Sequence, residues 1–347
     1  MIMRRLFLVS FSILIANITV YSQSFNDYLN SAKKGDPKAQ YAVGVCYHKG
    51  EDVNKDLQKA AEWWLKSAQQ GYVYAQYWIA RSYHYGEGVS EDLTKAFEWY
   101  LKAAEQGFAY AQYNLGECYY KGDFYFRGLG VDKNLSKAFG WYLKAAEHGQ
   151  LWAQYMVGVF YYEGNGVSKD LAKSFEWWLK SAEQGYVYAQ YCVGECYHYG
   201  EGVPMDLTKA FNWYLKAAEQ GDVASQIAVA GCYNEGLGVN LNIIKSFEWA
   251  KKAAEQGDSY GQYLIGYYYA QGKGVQQDYQ KAVEWYEKSA SQGYAWAYNN
   301  LAYLYINGNG VDRNTNKAFD LVDLESMYVL SSMDEDDYED YAEELKD

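Results

Sequence analysis

The sequence predicts an all-α protein, built as a solenoid of stacked helix pairs. A motif that closes with a glycine recurs along the chain, and residues 72–107 are one copy of it. Successive copies are 36 residues long except for one of 42, and a fixed period in this range is typical of helical repeat proteins. Half of the residues are hydrophobic and only two are proline, which suits a mostly helical chain.

Each repeat is predicted to hold two antiparallel helices joined by a glycine-containing turn. In the second repeat the first helix is expected to span about residues 74–85, because Ala75, Ile79 and Tyr83 are four residues apart and share one face. Gly86 is expected to end this helix, since glycine readily adopts the left-handed cap conformation. Glycine also recurs inside most of the first helices, which indicates close approach of a neighbouring helix.

The second helix of the second repeat is expected to span about residues 93–106, with Asp92 as its N-cap. Trp99 is predicted to belong to the packed face of this helix. Glu98 and Lys102 are predicted to form an ion pair on its solvent face, because residues four apart are neighbours on a helix. The N-cap position is filled by aspartate or asparagine throughout, at Asp56, Asn134, Asp170, Asp206, Asn242, Asp278 and Asn314.

The two ends of the chain depart from the repeat. Residues 1–22 are predicted to be a signal peptide, because Arg4 and Arg5 precede an apolar run and the small residue Ser22 fits a cleavage site. An uncleaved signal anchor is the alternative. Residues 23–35 are predicted to form an N-terminal capping helix. We expect the protein to be exported, to the periplasm or the medium, with no membrane span after signal cleavage.

Eight repeats are predicted over residues 36–329, with a six-residue insertion in the third and a degenerate eighth copy. Residues 330–347 are predicted to be an acidic C-terminal tail, or alternatively a capping helix. The net charge of −13 argues against nucleic acid as a partner, since phosphate binding depends on clusters of Lys and Arg. The five cysteines are predicted to be buried as free thiols, although a Cys192–Cys196 bridge is an alternative.

The repeat resembles the Sel1-like repeat, a relative of the tetratricopeptide repeat. The resemblance implies a right-handed αα-solenoid whose first helices line the concave side, and a scaffold or adaptor that binds proteins or peptides. Some exported relatives carry a disulfide in each repeat and have been linked with β-lactam binding or hydrolysis, but paired cysteines are missing from most repeats here. In the third repeat the family pattern stands as Ala111, Leu115, Gly116, Tyr119, Gly130, Val131, Lys137, Ala138, Trp141, Ala145, Ala146 and Gly149.

No convincing catalytic signature stands in the sequence, so a non-enzymatic protein without a cofactor is predicted. His48, His84 and His198 share one repeat position. A metal site built from His48 and His84, or from Cys192, Cys196 and His198, is the alternative to a structural role for these side chains. A β-lactam hydrolase is the least favoured function.

The predicted binding surface is a stripe at positions three, seven, ten and fourteen of each first helix, here named the first-helix stripe. Tyr, Trp, Arg and Met recur there, and these residue types anchor many protein interfaces. For Tyr74, Tyr110 and Tyr188, packing between adjacent repeats is the alternative. The candidate partner-binding residues are Tyr74, Trp78, Arg81, Tyr85, Tyr110, Asn114, Glu117, Lys121, Trp152, Met156, Glu163, Tyr188, Glu195 and Tyr199.

A second candidate contact is the inserted segment of the third repeat, where Phe124, Tyr125 and Phe126 follow one another. A lengthened turn that folds back on its own repeat is the alternative. The favoured function is an exported scaffold that binds a protein or peptide along the concave stripe. An envelope glycan-binding protein is the alternative function, because aromatic side chains also stack on sugar rings.

Overall fold

The computed structural model describes residues 24–122 and 131–321, and every regular element in these residues is helical. Sixteen helices, numbered α1–α16, follow one another, and residues 315–321 are helical as well. The helices are α1 (Phe25–Lys33), α2 (Pro37–Lys49), α3 (Leu57–Gln69), α4 (Val73–Tyr85), α5 (Leu93–Glu105), α6 (Ala109–Lys121), α7 (Leu135–Glu147), α8 (Leu151–Glu163), α9 (Leu171–Glu183), α10 (Val187–Tyr199), α11 (Leu207–Glu219), α12 (Val223–Glu235), α13 (Ile243–Glu255), α14 (Ser259–Gln271), α15 (Tyr279–Ala290) and α16 (Ala295–Asn307).

The predicted all-α repeat fold is confirmed. Even-numbered helices from α2 are first helices of the repeats, and odd-numbered helices from α3 are second helices. The chain forms two compact units, unit 1 (Met1–Ser168) and unit 2 (Lys169–Asp347). Within each unit, every helix packs against the helices that precede and follow it in the sequence.

The helix ends lie where the sequence predicts them. The Asp92 carboxylate accepts a hydrogen bond from the Lys95 backbone N–H at 2.9 Å, which satisfies one of the free donors at the start of α5. The Lys95 ammonium lies 2.9 Å from the same carboxylate. At the end of α4, Gly86 has φ 67°, a left-handed conformation that glycine adopts without strain.

The glycine inside the first helices marks a close approach, as predicted. A Cβ atom on Gly116 in α6 would lie 2.5 Å from the ring of Tyr142 in α7, and one on Gly194 in α10 would lie 2.6 Å from Tyr214 in α11. The second repeat has Ala80 at this position. The recurring glycine therefore leaves room for a large ring on the second helix of the same repeat.

The fully buried ring of the second helix is Tyr100. Trp99, also predicted for the packed face, is half-buried and packs against the edge of the core. Lys102 does not pair with Glu98 but lies over the Trp99 ring, 4.1 Å from its centroid. A cation over an aromatic face is stabilising, and the lysine stem also shields the ring from water. Equivalent lysine–tryptophan pairs are Lys66–Trp63, Lys144–Trp141, Lys180–Trp177, Lys216–Trp213, Lys252–Trp249 and Lys288–Trp285.

A buried glutamine joins successive helices in most repeats, and sequence reasoning missed it. Gln76 in α4 donates to the Ala68 carbonyl of α3 at 3.3 Å and accepts from Gln106, which follows α5, at 2.7 Å. In the third repeat His148 replaces the second glutamine, and its Nδ1 lies 2.9 Å from Gln112 Oε1. These hydrogen bonds give partners to the side-chain amides of the buried glutamines, which water does not reach.

At the N-terminal end of the described chain, α1 covers the first repeat. Ser24 and Asp27 form a reciprocal capping box at its start. Phe25 packs edge-on against Tyr47 of α2 with the ring centroids 5.4 Å apart. The same contact joins neighbouring repeats further on, for example Phe211 and Tyr233 at 5.3 Å. The predicted signal peptide (residues 1–22) and acidic tail (residues 330–347) lie outside the described residues.

The five cysteines are free thiols, so the alternative of a Cys192–Cys196 bridge is not observed. Cys118, Cys196 and Cys232 are buried, and Cys46 and Cys192 are half-buried. Burial, together with nearby carboxylates, raises the pKa of the Cys196 thiol to about 12. Since the thiolate is the reactive form, these side chains act as small hydrophobic groups.

Candidate functional site

The position-three aromatics of the first-helix stripe both pack between repeats and remain exposed. The ring of Tyr74 lies 6.0 Å from Tyr41 of the first repeat and 5.4 Å from Phe108 of the third, yet 38% of Tyr74 is exposed. Tyr110 is half-buried, 6.2 Å from the ring of Trp152. The two interpretations of these residues are therefore compatible, and their role in binding stays a prediction.

Trp78 does not lie on the surface, so its prediction as a partner-binding residue is wrong. Only 3% of it is exposed. Its ring packs 5.0 Å from Trp64 and 5.5 Å from His48, both of the first repeat. The periodicity placed it on the stripe, but an indole at this position is long enough to reach the preceding repeat.

Tyr74 and Tyr85 are the exposed stripe residues of the second repeat, and the half-buried Arg81 lies next to Tyr85. The Arg81 guanidinium lies 5.0 Å from the Trp78 ring centroid and 5.5 Å from that of Tyr85, so it is held between two aromatic faces. Tyr85 is 47% exposed and stacks on His84 at 4.4 Å. Burial, and secondarily Arg81, lowers the pKa of His84 to about 4. The imidazole is therefore neutral near pH 7, which suits its packed position.

In the third repeat the stripe carries a carboxylate with its own counter-charge. The Glu117 carboxylate accepts a hydrogen bond of 2.6 Å from the hydroxyl of Tyr142. It also forms an ion pair of 2.5 Å with Lys121, one helical turn later. Asn114, one turn before, donates to the Tyr110 carbonyl at 3.0 Å. This part of the stripe is thus internally neutralised.

The stripe of the fourth repeat is apolar at its start and acidic at its end. Trp152 is half-buried, with its ring 6.0 Å from Tyr113 of the third repeat. Met156 is half-buried, and Glu163 is exposed at the end of α8, where its carboxylate accepts a hydrogen bond from Asn165. The repeat therefore offers a thioether and an indole beside a carboxylate.

The stripe of the fifth repeat has the same tyrosine-bound glutamate as the third, but Cys192 replaces Asn114 and Tyr199 replaces Lys121. Glu195 accepts a hydrogen bond from the hydroxyl of Tyr214, as Glu117 does from Tyr142. One turn later stands Tyr199, 66% exposed, where the third repeat has Lys121. Tyr188 is 38% exposed at position three. In the described chain, no Lys, Arg or His lies within ion-pair distance of Glu195.

Three exposed aromatics further along the stripe were missed by sequence reasoning, which stopped at the fifth repeat. Tyr260 is 40% exposed, and Trp296 and Tyr303 are each 62% exposed. Tyr260 and Trp296 occupy position three, and Tyr303 occupies position ten. The same counting rule, continued to the seventh and eighth repeats, would have found them.

The remaining candidates fall into three groups. Phe124, Tyr125 and Phe126 lie outside the described residues. The part of the chain that the structure describes contains no group of three or more His, Cys, Asp or Glu side chains placed to hold a metal ion. A groove on the opposite side, between second helices of the fifth and sixth repeats, is lined by Leu215, Glu219, Tyr233, Lys245, Glu248, Trp249 and Lys252. Its charged side chains are of both signs and suggest no reaction chemistry.

Comparison with known proteins assigns the family. The sequence model of the Sel1 repeat matches eight consecutive segments: residues 37–72, 73–108, 109–150, 153–186, 187–222, 223–258, 259–294 and 297–322. The chain belongs to the Sel1 repeat family. Sel1 repeats typically mediate protein binding, and the family is generally a non-catalytic scaffold. Among curated proteins, none is significantly similar to this Sel1 repeat protein in sequence.

Two solved structures are similar to this Sel1 repeat protein. One is c5321, a protective antigen of uropathogenic Escherichia coli that displays an SLR fold, with 36% identity and a TM-score of 0.82 over 88% of this chain and 64% of that one. This chain thus spans less than two thirds of the E. coli protein. The other is a Sel1 repeat protein from Oxalobacter formigenes, with 32% identity and a TM-score of 0.62 over 81% of this chain and 80% of that one.

Proposed function

We propose that this Sel1 repeat protein is a non-enzymatic scaffold that binds a protein or peptide along the first-helix stripe. The observation that carries the proposal is the distribution of exposed aromatics. Eight aromatic side chains in the described residues are strongly exposed, and seven of them occupy stripe positions. Two of the seven lie in unit 1 and five in unit 2. Exposed rings that recur at the same helix positions within a unit are typical of interaction sites, whereas isolated ones need no explanation. The seven are Tyr74, Tyr85, Tyr188, Tyr199, Tyr260, Trp296 and Tyr303.

The chemistry of the stripe supports binding rather than turnover. Its charged groups are held by their neighbours, as Arg81 is by two rings and Glu117 by Tyr142 and Lys121. Tyrosine and tryptophan bring large contact areas at a low cost in side-chain entropy, which favours binding. The neutral ring of His84 stacks on Tyr85 and so supports that exposed ring without adding a charge to the stripe.

The proposed function is tested by affinity capture from the native cell envelope with matched variants. In the stripe variant Tyr85, Tyr199 and Trp296 are replaced by alanine. In the control variant alanine replaces Met205, Leu241 and Ile244, which are exposed by 58–66% but lie off the stripe. We expect the wild type and the control variant to capture a protein that the stripe variant does not capture. In a titration with that purified protein, the stripe variant should bind more weakly than the other two. Capture by all three proteins would contradict the proposal.

We further propose that the protein acts after export. The basic and apolar character of residues 1–22 supports this, although these residues lie outside the described chain. None of the helices in the described ranges has the length and apolar character needed to cross a bilayer. Envelope glycan is the alternative ligand, because the exposed rings of Tyr199 and Trp296 can also stack on sugars. If the wild type captures an oligosaccharide and no protein, and the stripe variant loses that oligosaccharide, the glycan alternative is favoured.

A further inference from the structure

The third and fifth repeats share a glutamate at stripe position ten but differ at position fourteen, and this difference indicates a ligand. In both repeats a half-buried glutamate at position ten accepts a hydrogen bond from a tyrosine of the second helix. In the third repeat Lys121 supplies the counter-charge to Glu117 at 2.5 Å. In the fifth repeat Tyr199 stands at the lysine position, and Glu195 has no cation beside it among the described residues. Glu195 is thus placed as Glu117 is, but the lysine that pairs with Glu117 has no equivalent in the fifth repeat.

Tyrosines lie one helical turn before and one turn after Glu195 on α10. Tyr191, Glu195 and Tyr199 follow one another at intervals of one turn on α10 and so share a face. Tyr191 is half-buried and Tyr199 is 66% exposed. A carboxylate with a tyrosine on either side along the helix is a favourable environment for an ammonium or guanidinium group, which can gain an ion pair and cation–π attraction together.

The charges around this place are negative, in contrast to unit 1. Burial, then Cys196, and then the charges of Glu195 and Asp222 raise the pKa of Cys192 to about 12. The next repeat adds Glu235, which is exposed at the end of α12. Unit 1 has cations on its stripe, Arg81 and Lys121. In unit 2, Lys273 in the turn after α14 donates to the hydroxyl of Tyr267 at 2.9 Å.

We propose that the stripe of unit 2 binds a peptide segment that bears lysine or arginine, with its cation against Glu195 between the rings of Tyr191 and Tyr199. This inference rests on the proposed function and specifies the partner chemistry of that surface. The net charge of −13 attracts cationic partners to the whole molecule. Among the described position-ten residues, only Glu195 is a carboxylate bound by a tyrosine hydroxyl with a tyrosine one turn before it and another one turn after it. The incoming cation takes the place that Lys121 occupies beside Glu117.

The test is a fluorescence anisotropy titration of labelled hexalysine, with its fully Nε-acetylated form as the neutral probe. We expect the wild type to bind hexalysine at least about tenfold more tightly than the acetylated form at near-physiological salt. Glu195→Gln keeps an oxygen for Tyr214 but removes the charge, and it should weaken hexalysine binding about five- to tenfold. Tyr199→Lys installs the internal counter-charge of the third repeat and should weaken binding at least as much.

Glu219→Gln is the matched control, since it removes an equal charge from an exposed residue of unit 2 that lines the groove on the opposite side. It should change the affinity less than about twofold. Equal weakening by Glu195→Gln and Glu219→Gln would overturn the proposal, because binding would then follow net charge alone. Equal affinity for the two probes would also overturn it. So would displacement of the labelled probe by chitohexaose but not by unlabelled hexalysine. If these titrations fail while the stripe variant still loses its captured partner, the proposed function stands without this inference.

Discussion

Two glycines inside helices differ in what surrounds them, and this difference predicts opposite effects of substitution. A Cβ atom on Gly116 would meet the buried ring of Tyr142 at 2.5 Å, whereas one on Gly140 would meet nothing within 4 Å. We expect Gly116→Val to lower the free energy of unfolding by about 1–3 kcal/mol, because the ring has to move. Gly140→Ala should raise it by about 0.5–1 kcal/mol, because alanine favours the helix and restricts the unfolded chain.

Urea unfolding followed by far-ultraviolet circular dichroism measures both changes. Each variant is the control for the other, since both replace a helical glycine of the third repeat. If both variants shift the unfolding midpoint equally and in the same direction, the contact of Gly116 with Tyr142 does not explain why glycine is needed at position 116.

Two packed histidines predict a dependence of stability on pH. Burial is the main cause that lowers the pKa of His48 and of His84 from 6.5 to about 4, with Arg81 adding to it. The unfolded chain therefore binds protons at a higher pH than the folded chain. The stability that neutral histidines contribute is full above about pH 6.5 and is lost as the pH falls toward about 4.

We expect the double variant His48→Gln, His84→Gln to lose less stability than the wild type between about pH 7 and about pH 5. Urea midpoints at the two pH values measure the difference. Parallel losses in the two proteins would mean that other groups, such as carboxylates, cause the whole effect.

At the scale of elements, the glutamine bridges tie each first helix to the second helices before and after it. Gln76 donates to the Ala68 carbonyl and accepts from Gln106. Gln76→Leu keeps a side chain of similar size but removes the buried hydrogen bonds to Ala68 and Gln106, so we expect a loss of about 1–3 kcal/mol in the free energy of unfolding. Gln106→Leu should cost less, because Gln106 is exposed and water can replace it. A larger loss for Gln106→Leu in the same unfolding experiment would contradict this account.

The sequence predicted helices and their ends well, because caps and glycines act locally. Asp92 and Gly86 have the roles that their residue types indicate. It predicted the packed face less well. Helical spacing does not distinguish Trp99 from Tyr100 when both border the apolar face. The choice depends on which ring faces the small residue of the paired helix, which is Ala80 here and glycine in most repeats. The buried Gln76 was missed because a polar residue is expected at the surface unless its partners are known.

The sequence predicted which helix positions form the candidate site, but not which of their side chains are exposed to solvent. Positions three and fourteen are exposed as expected at Tyr74 and Tyr85, and the same positions continue to Trp296. Trp78 shares the register and is buried, because it fills space against Trp64 of the preceding repeat. Spacing assigns a face, whereas side-chain length and the neighbouring repeat decide whether a residue on that face reaches solvent.

At the scale of the whole molecule, export is a prediction that the first 22 residues carry. We expect N-terminal sequencing of the protein recovered from the envelope or medium to begin at Gln23, the residue after the proposed cleavage site. Recovery of an intact chain with the membrane fraction would favour an anchor instead. Recovery of an intact chain from the cytosol would contradict export.

The central claim is that the first-helix stripe is the surface that contacts a partner, and photo-crosslinking tests it most directly. A photoreactive phenylalanine is placed singly at Tyr199 or Trp296 on the stripe, and at Met205 or Leu241 off it. Tyr199, Met205 and Leu241 are each 66% exposed, so accessibility is matched. We predict that the same partner protein crosslinks from Tyr199 and Trp296 and not from Met205 or Leu241. Equal crosslinking from Met205, or none from the stripe, would contradict the account.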